Sequence, residues 1–540
     1  MAKNYKTPGV YIEELNAFPG TVVEVATAVP AFIGYTEKAS DNGKSLLNRP
    51  VRINTMQEFH ERFGMAFSPK FKLTRTTDKL TDSSPPHHMN IGQNQNLTIE
   101  FETDNHDLIF YNSLRLFYLN GGSACYIVSV GLFDANDGVK IDGSELVSGL
   151  EPLRKEQEPT MIIIPEAVKL GEKCYDLYKQ ALKHCSDMQS RFAIVDVFDG
   201  DWSEFKGGDN PKVQVFREKI GSEFLDYAAA YYPWLHTNIV SDREVTFMNF
   251  GKTAGEALNK LKELMPDEEK TALDIIETYP KEDSEIQTKF NEQKSEDEKA
   301  EFEKLDEKSK KKHLEKYTKK LQNNLHLGLW ETSPTYKNIL SKLREVLNLL
   351  PPSAALAGVY TKVDQNRGVW KSPANISLNG VIKPSTTISH EDQELLNVDA
   401  IGGKSINAIR TFPGLGTLVW GGRTLDGNSL DWRYINVRRT MIMLEQSIKL
   451  ALRAYVFEPN DANTWVTVKS MITNFLTDKW KQGALAGASP EDAFEVQIGL
   501  GTTMTSVDIL EGRMLITIKL AIVGPAEFIV VTFKQQMQKS

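Results

Sequence analysis

Three cysteines in 540 residues, Cys125, Cys174 and Cys185, are too few and too scattered for a disulfide framework, a thiolate metal centre or a redox pair. Reduced, buried thiols are the expected state. No apolar run approaches the roughly 20 residues that span a bilayer, so no membrane insertion is expected. An excess of positive charge is also missing. The net charge is −9 and the pI about 5.7, which argues against a nucleic-acid partner. The opening Met-Ala-Lys-Asn-Tyr-Lys has no apolar signal-peptide core, and synthesis and folding in the cytosol are expected.

Signatures of chemistry are missing too. Gly251-Lys252-Thr253 and Gly402-Gly403-Lys404-Ser405 invite a phosphate-loop reading. Such a loop needs a further glycine five residues before the one preceding lysine, so that backbone N–H groups wrap the phosphates. Thr246 and Val398 stand there instead. Gly501-Thr502-Thr503-Met504 is similar to a subtilase nucleophile turn, but the nucleophile slot holds Thr503 and no Asp–His pair is placed to activate it. His87-His88 point in different directions on most backbones and lack acidic or cysteine company for a metal. No catalytic residue, cofactor or metal is expected, and so long a chain without an assembled site favours a structural role.

What is present reads as two to four domains on length alone. Thr7-Pro8-Gly9 is a turn, Val10-Tyr11-Ile12-Glu13-Glu14 a short strand, and Pro19-Gly20 a break. Residues 68–105 form a polar insertion. A helix around Leu114, Phe117 and Tyr118 ends at Asn120-Gly121-Gly122, and Cys125–Val128 is a buried strand. From about 152 to 240 strands and helices alternate: a strand at Met161–Pro165, a helix from Cys174 to His184, a strand at Phe192–Val197, and a helix-like Phe224–Tyr231. That alternation predicts an α/β layer with a largely parallel sheet. Between 261 and 320 roughly half the residues are Asp, Glu or Lys, twice the usual share, which predicts exposed helices or a disordered insertion over about 255–325. A further helix runs from Tyr336 to Leu350, stopped by Pro351-Pro352.

The last 110 or so residues organise the rest. From Tyr434, the residues Val437, Met441, Leu444, Ile448, Leu452 and Tyr455 recur at helical spacing, with Asp431 as a candidate N-cap and Pro459 as a stop. A second helix starts near Asp461 or Asn463, carries Trp465, Val468, Ile472, Phe475 and Leu476, and stops at Gly483. Strands follow at Phe494–Ile498 and Met514–Val523. After Gly524-Pro525 comes the apolar run Glu527-Phe528-Ile529-Val530-Val531-Thr532-Phe533. It is either the last strand of its own sheet or an arm that adds to a neighbouring subunit's sheet.

Several blocks of this chain resemble the tail sheath proteins of contractile phage tails and related contractile injection systems. They are Thr7–Glu14, Asn120–Tyr126, Pro351–Gly358 with Arg367–Asn375, and Asn407–Arg410 followed by Val419–Thr424. The likeness is absent over 68–105 and 255–325. It implies an α/β, α+β multidomain fold: an N-terminal β-arm (1–25), an outer-domain part (26–105), a subtilisin-like α/β central domain without protease activity (106–400), an α+β C-terminal sheath domain (401–524) and a C-terminal β-arm (525–540). It implies that the arms exchange between subunits through Val10, Tyr11, Ile12, Glu13, Phe528, Ile529, Val530, Val531 and Phe533. It also implies that Arg433, Arg438, Arg439, Lys449 and Arg453 grip an inner tube. The implied partners are further copies in hexameric rings, the inner tube protein, baseplate and tail terminator or cap proteins, and paralogous sheath subunits where they occur. The implied location is an assembled phage tail or injection particle.

Overall fold

The computed structural model describes residues 21–76, 88–92, 95–201, 210–266, 269–280, 283–292, 302, 304–399 and 402–531. They fall into two units, one made of 28–362 with 373–433, the other of residues up to 27, 363–372 and 434–540.

The larger unit is built on a nine-stranded sheet. Its strands lie in the order Ile376–Ser377, Gly416–Val419, Ile406–Phe412, Ala228–Tyr232, Phe192–Asp196, Met161–Ile163, Pro30–Thr36, Cys125–Leu132 and Pro50–Ile53. The stretch from 406–412 through 125–132 is parallel, and the outer pairings are antiparallel. Continuous apolar runs such as Met161-Ile162-Ile163 suit strands covered on both faces. The helix Ser353–Arg367 buries Ala354, Ala355, Leu356, Ala357 and Tyr360 completely, its first half being apolar on every side and its last turn polar and exposed. Its Tyr360 hydroxyl meets that of Tyr231 at 2.7 Å.

Three expectations need correction in this unit. Phe224–Tyr231, read as helix-like, holds a short 3-10 turn and then the Ala228–Tyr232 strand. Its alanines favour helix in isolation, but they sit mid-sheet between 192–196 and 406–412, where burial decides. Residues 26–105 are not set apart from 106–400, because Pro30–Thr36 lies mid-sheet between 125–132 and 161–163. The expected boundary at 401 moves to 434, because 406–412 and 416–419 complete the large sheet.

The two insertions share one hydrophobic core. The strands Phe71–Thr76, Gln95–Phe101 and His88–Gly92 form a three-stranded antiparallel sheet. Phe71, Leu97 and Ile99 from that sheet pack with Leu258 and Leu261 of the helix Ala254–Leu264 and Ile276 of Lys270–Thr278. Leu325 and Leu329 of the helix Glu307–Thr332 and Leu343 of Pro334–Leu347 close the same cluster. Sparse leucines at three- and four-residue steps are enough, because each helix presents only one narrow stripe to the core.

The smaller unit contains the helices Ile435–Leu452 and Ala462–Lys481 and a hairpin of Phe494–Ile498 with Ile516–Leu520. Asp461 caps the second helix by accepting from Thr464 N at 3.0 Å, and Gly483 ends it with φ +88°. The first helix has Tyr434, not Asp431, at its N-cap and ends ahead of Pro459, closing with a 3-10 turn at Arg453–Tyr455. Met443, Leu444, Ile472 and Leu476 join Phe494 and Val496 in its core.

Candidate functional site

The Ile435–Leu452 helix buries more than its apolar spacing marks. Val437 and Met441 are only half-buried, whereas Asn436, Arg439, Thr440, Met443 and Ser447 are buried. These positions recur at steps of three or four and make a seam along the helix. Its polar members bind backbone from distant parts of the chain. Asn436 Nδ2 donates to the carbonyls of Trp370 (2.9 Å) and Val523 (3.0 Å). Arg439 pairs with Asp364 through both guanidinium Nη atoms and donates to Thr27 O at 2.9 Å. Ser447 Oγ accepts from Val25 N at 3.1 Å and donates to Met443 O. Asn436 Nδ2, Arg439 and Ser447 thereby regain in the fold the partners they lost in water, whereas Asn436 Oδ1 and Thr440 Oγ1 are buried without one among the described residues.

The first and last described segments are therefore both held at the first helix, and the first also at the second. Glu24 pairs with Lys479, Val25 and Thr27 are held as above, and Glu527 accepts from the Tyr434 hydroxyl at 3.1 Å. Beyond that point Phe528, Ile529, Val530 and Val531 are 72%, 80%, 89% and 65% exposed. Over 527–531 they form no strand with the described residues. Four consecutive apolar side chains left in water are a surface that calls for cover. Val10, Tyr11, Ile12, Glu13 and Phe533 lie outside the described residues.

The unit also has strand edges to offer. Among the described residues, Phe494–Ile498 and Ile516–Leu520 pair as strands only with one another, and a two-stranded sheet alone is marginal in water.

The basic residues expected to face a tube separate into two groups. Arg438 and Arg439 are buried, at 5% and 4% exposure, and Arg439 is committed to Asp364. They are not an open contact surface of this fold, a correction to the expectation. Arg439 is buried as part of the polar seam, which lies beside the stripe marked by apolar spacing, and Arg438 is buried although it lies outside that seam. Arg433 is half-buried and donates to Ser429 O, while Lys449 and Arg453 are exposed.

The rejected motifs are all engaged locally. Thr503 Oγ1 donates to Leu515 O at 2.7 Å and accepts from Gly499 N. Lys252 pairs with Asp137, and Thr253 caps the following helix. Lys404 binds Arg217 O, and Ser405 Oγ binds Asn397 O. Among the described acids of the larger unit, two are at most 1% exposed: Glu166, which accepts from the backbone N–H of Tyr35 and Phe110, and Asp196, which accepts from Ser353 N. Desolvation pushes each carboxyl up to about 7.

Comparison with known proteins bears on the same elements. The family model for the phage tail sheath C-terminal domain matches residues 428–536. The tail sheath protein of Vibrio phage KVP40 is 30% identical over 143 residues, which is 26% of this chain and 21% of that protein. A putative prophage major tail sheath protein of Pseudomonas aeruginosa is 27% identical over 179 residues, 33% of this chain and 44% of that one. The chain thus aligns with less than half the length of either. Solved structures align over nearly everything. The sheath complex of the extracellular contractile injection system PVC, in its contracted state, gives a TM-score of 0.58 at 25% identity, covering 99% of both chains. The contracted helical sheath of the anti-feeding prophage gives 0.56 at 26% identity, covering 98% of this chain and 100% of that one. Sequence, C-terminal domain and whole-chain fold all point the same way: residues 428–536 match the phage tail sheath C-terminal domain, and the chain over nearly its whole length is similar to solved contractile sheaths.

Proposed function

We propose that this protein is the repeating subunit of a contractile sheath, stacked as hexameric rings around an inner tube that it drives through a target envelope. The observation that carries the reading is the exposed run Phe528–Val531, anchored at Glu527 and without a strand partner among the described residues. An apolar strand of this kind is stable only once it is added to a sheet edge. The open edges of the Phe494–Ile498 and Ile516–Leu520 hairpin on a sister copy are the natural acceptors. The N-terminal residues Val10–Glu13 are the matching arm at the other end. Main-chain pairing keeps subunits linked while their angle changes, with Gly20 and Gly524 as hinges. Contraction draws its free energy from surface buried between copies, summed over the assembly, and consumes no nucleotide. The larger unit acts as a subtilisin-like scaffold without catalysis. Lys449 of the first helix and Arg453 of the turn that closes it are exposed and would face an acidic tube surface. Baseplate and terminator proteins would cap the stack.

Purified full-length protein, viewed by negative-stain microscopy, should form tubular polysheaths. Removing 525–540 should abolish the tubes while the circular dichroism and melting of the core persist. Tubes that survive the truncation contradict the reading.

A further inference from the structure

The helix Glu307–Thr332 has two faces of opposite character. Leu321, Leu325 and Leu329 point into the core shared by the two insertions. Lys308, Lys311, Lys312, Lys316, Lys319 and Lys320 are exposed, all but Lys311 on the other side, since Lys311 is about five full turns before Leu329. None of these six pairs with a carboxylate of another segment among the described residues; the ion pair in this stretch joins Lys310 to Glu307. Lys308, Lys312, Lys316 and Lys320 follow at four-residue steps, where like charges destabilise an isolated helix. Among the described residues only Glu307 and Glu315 of the same helix stand beside them to offset that repulsion.

The charge of the whole chain suggests what does. Residues 308–320 hold seven lysines and one glutamate, or +6, so the rest of a chain at −9 carries −15. Copies with this imbalance repel one another wherever acidic surface meets acidic surface. On the lysine face a neighbour's acidic surface is met with attraction.

We infer that the lysine face of the 307–332 helix docks on an acidic face of a second copy of this chain, holding the insertion lobes of adjacent subunits together in the assembly. The inference rests on the sheath reading, because it needs copies packed side by side. It concerns an insertion that the arms do not involve. Contacts of this kind chiefly set specificity and association rate and weaken with salt.

The test uses the full chain. A variant carrying Lys308→Glu, Lys312→Glu, Lys316→Glu and Lys319→Glu is compared with a control in which Lys44, Lys155, Lys173 and Lys183, exposed elsewhere on the larger unit, become Glu. Equal helicity by circular dichroism shows that both fold. The wild type should form tubes less readily as salt rises from about 50 to about 500 mM. The stripe variant should need a concentration about tenfold higher, the scale of a few exposed charge pairs acting together. The control should lie closer to the wild type. Carbodiimide cross-linking of tubes made from mixed light and heavy nitrogen chains should join the stripe lysines to carboxylates of the other isotope.

Tubes that are indifferent to the stripe variant, or stripe cross-links confined to single chains, overturn the inference and leave the sheath reading standing. A wild type that forms no tubes defeats both. Pelleting with phosphatidylserine vesicles, lost in the stripe variant while tubes form normally, assigns the face to a lipid surface and also overturns it.

Discussion

Arg439 and Asp364 form a two-point ion pair, Nη1 to Oδ1 at 2.9 Å and Nη2 to Oδ2 at 2.6 Å, with both side chains under 5% exposed. The same guanidinium holds Thr27 O, so one side chain ties the entry of the chain and the 363–372 segment to the Ile435–Leu452 helix. Breaking a buried pair by removing one partner strands a charge and costs about 3–5 kcal/mol. Arg439→Ala should lower the unfolding free energy of the smaller unit by that amount in urea titration. Replacing both partners with apolar side chains, Arg439→Met with Asp364→Leu, should recover most of the loss. A double variant no better than the single one would show that the Thr27 contact matters more than the pair.

The buried acids make a pH prediction. Glu166 and Asp196 titrate near 7 in the fold and near the ordinary carboxylate range when unfolded. Raised folded values mean that their contribution is fully present below the unfolded pKa and is lost as pH rises through about 7. His184 acts in the opposite sense. Burial and the nearby Arg191 hold it down at about 4, so it favours folding more as pH rises from about 4 towards its unfolded value. Comparison with single variants removes that background. The Tm difference between wild type and Glu166→Gln, or Asp196→Asn, should move in favour of the amide variant between pH 5 and 8, by circular dichroism at each pH. A difference independent of pH would mean that these carboxyls stay ionised throughout.

The shared core of the insertions can be tested within a single helix. Leu329 is fully buried, whereas Leu327, two residues before it, is 58% exposed. Leu329→Ala should cost about 2–5 kcal/mol through lost burial and a cavity, while an exposed substitution such as Leu327→Ala should stay within about 0.5 kcal/mol. Hydrogen exchange should localise the first loss to 254–347 and the 71–101 sheet together. Loosening of the helices alone would contradict a common core.

Much of this architecture was legible from pattern. Continuous apolar strands such as Met161–Ile163 and Phe192–Val195 announced the parallel sheet, and Asp461 and Gly483 bracketed the second C-terminal helix as expected. Local pattern failed where long-range packing decided. Ala228–Tyr232 reads as helix until its two strand neighbours are known. Asn436, Arg439 and Ser447 look like a solvated face, because nothing in the sequence shows that Val523, Asp364 and Val25 come to meet them. For the same reason Arg438 and Arg439 were assigned to a surface they do not occupy. Phe71, Leu97 and Leu261 give no sign from local sequence that two insertions separated by some 150 residues share a core.

The central claim is that an arm of one copy completes the sheet of another, and disulfide trapping addresses it directly. The native cysteines are buried, which leaves introduced ones free to report. Tubes are assembled from chains carrying Val530→Cys mixed with chains carrying Gln497→Cys or Thr517→Cys, one on each strand of the hairpin. Mild oxidation should give covalent heterodimers joining residue 530 of one copy to the hairpin of another, and reduction should release them. Intact tubes in which residue 530 never links to a second copy would contradict the account.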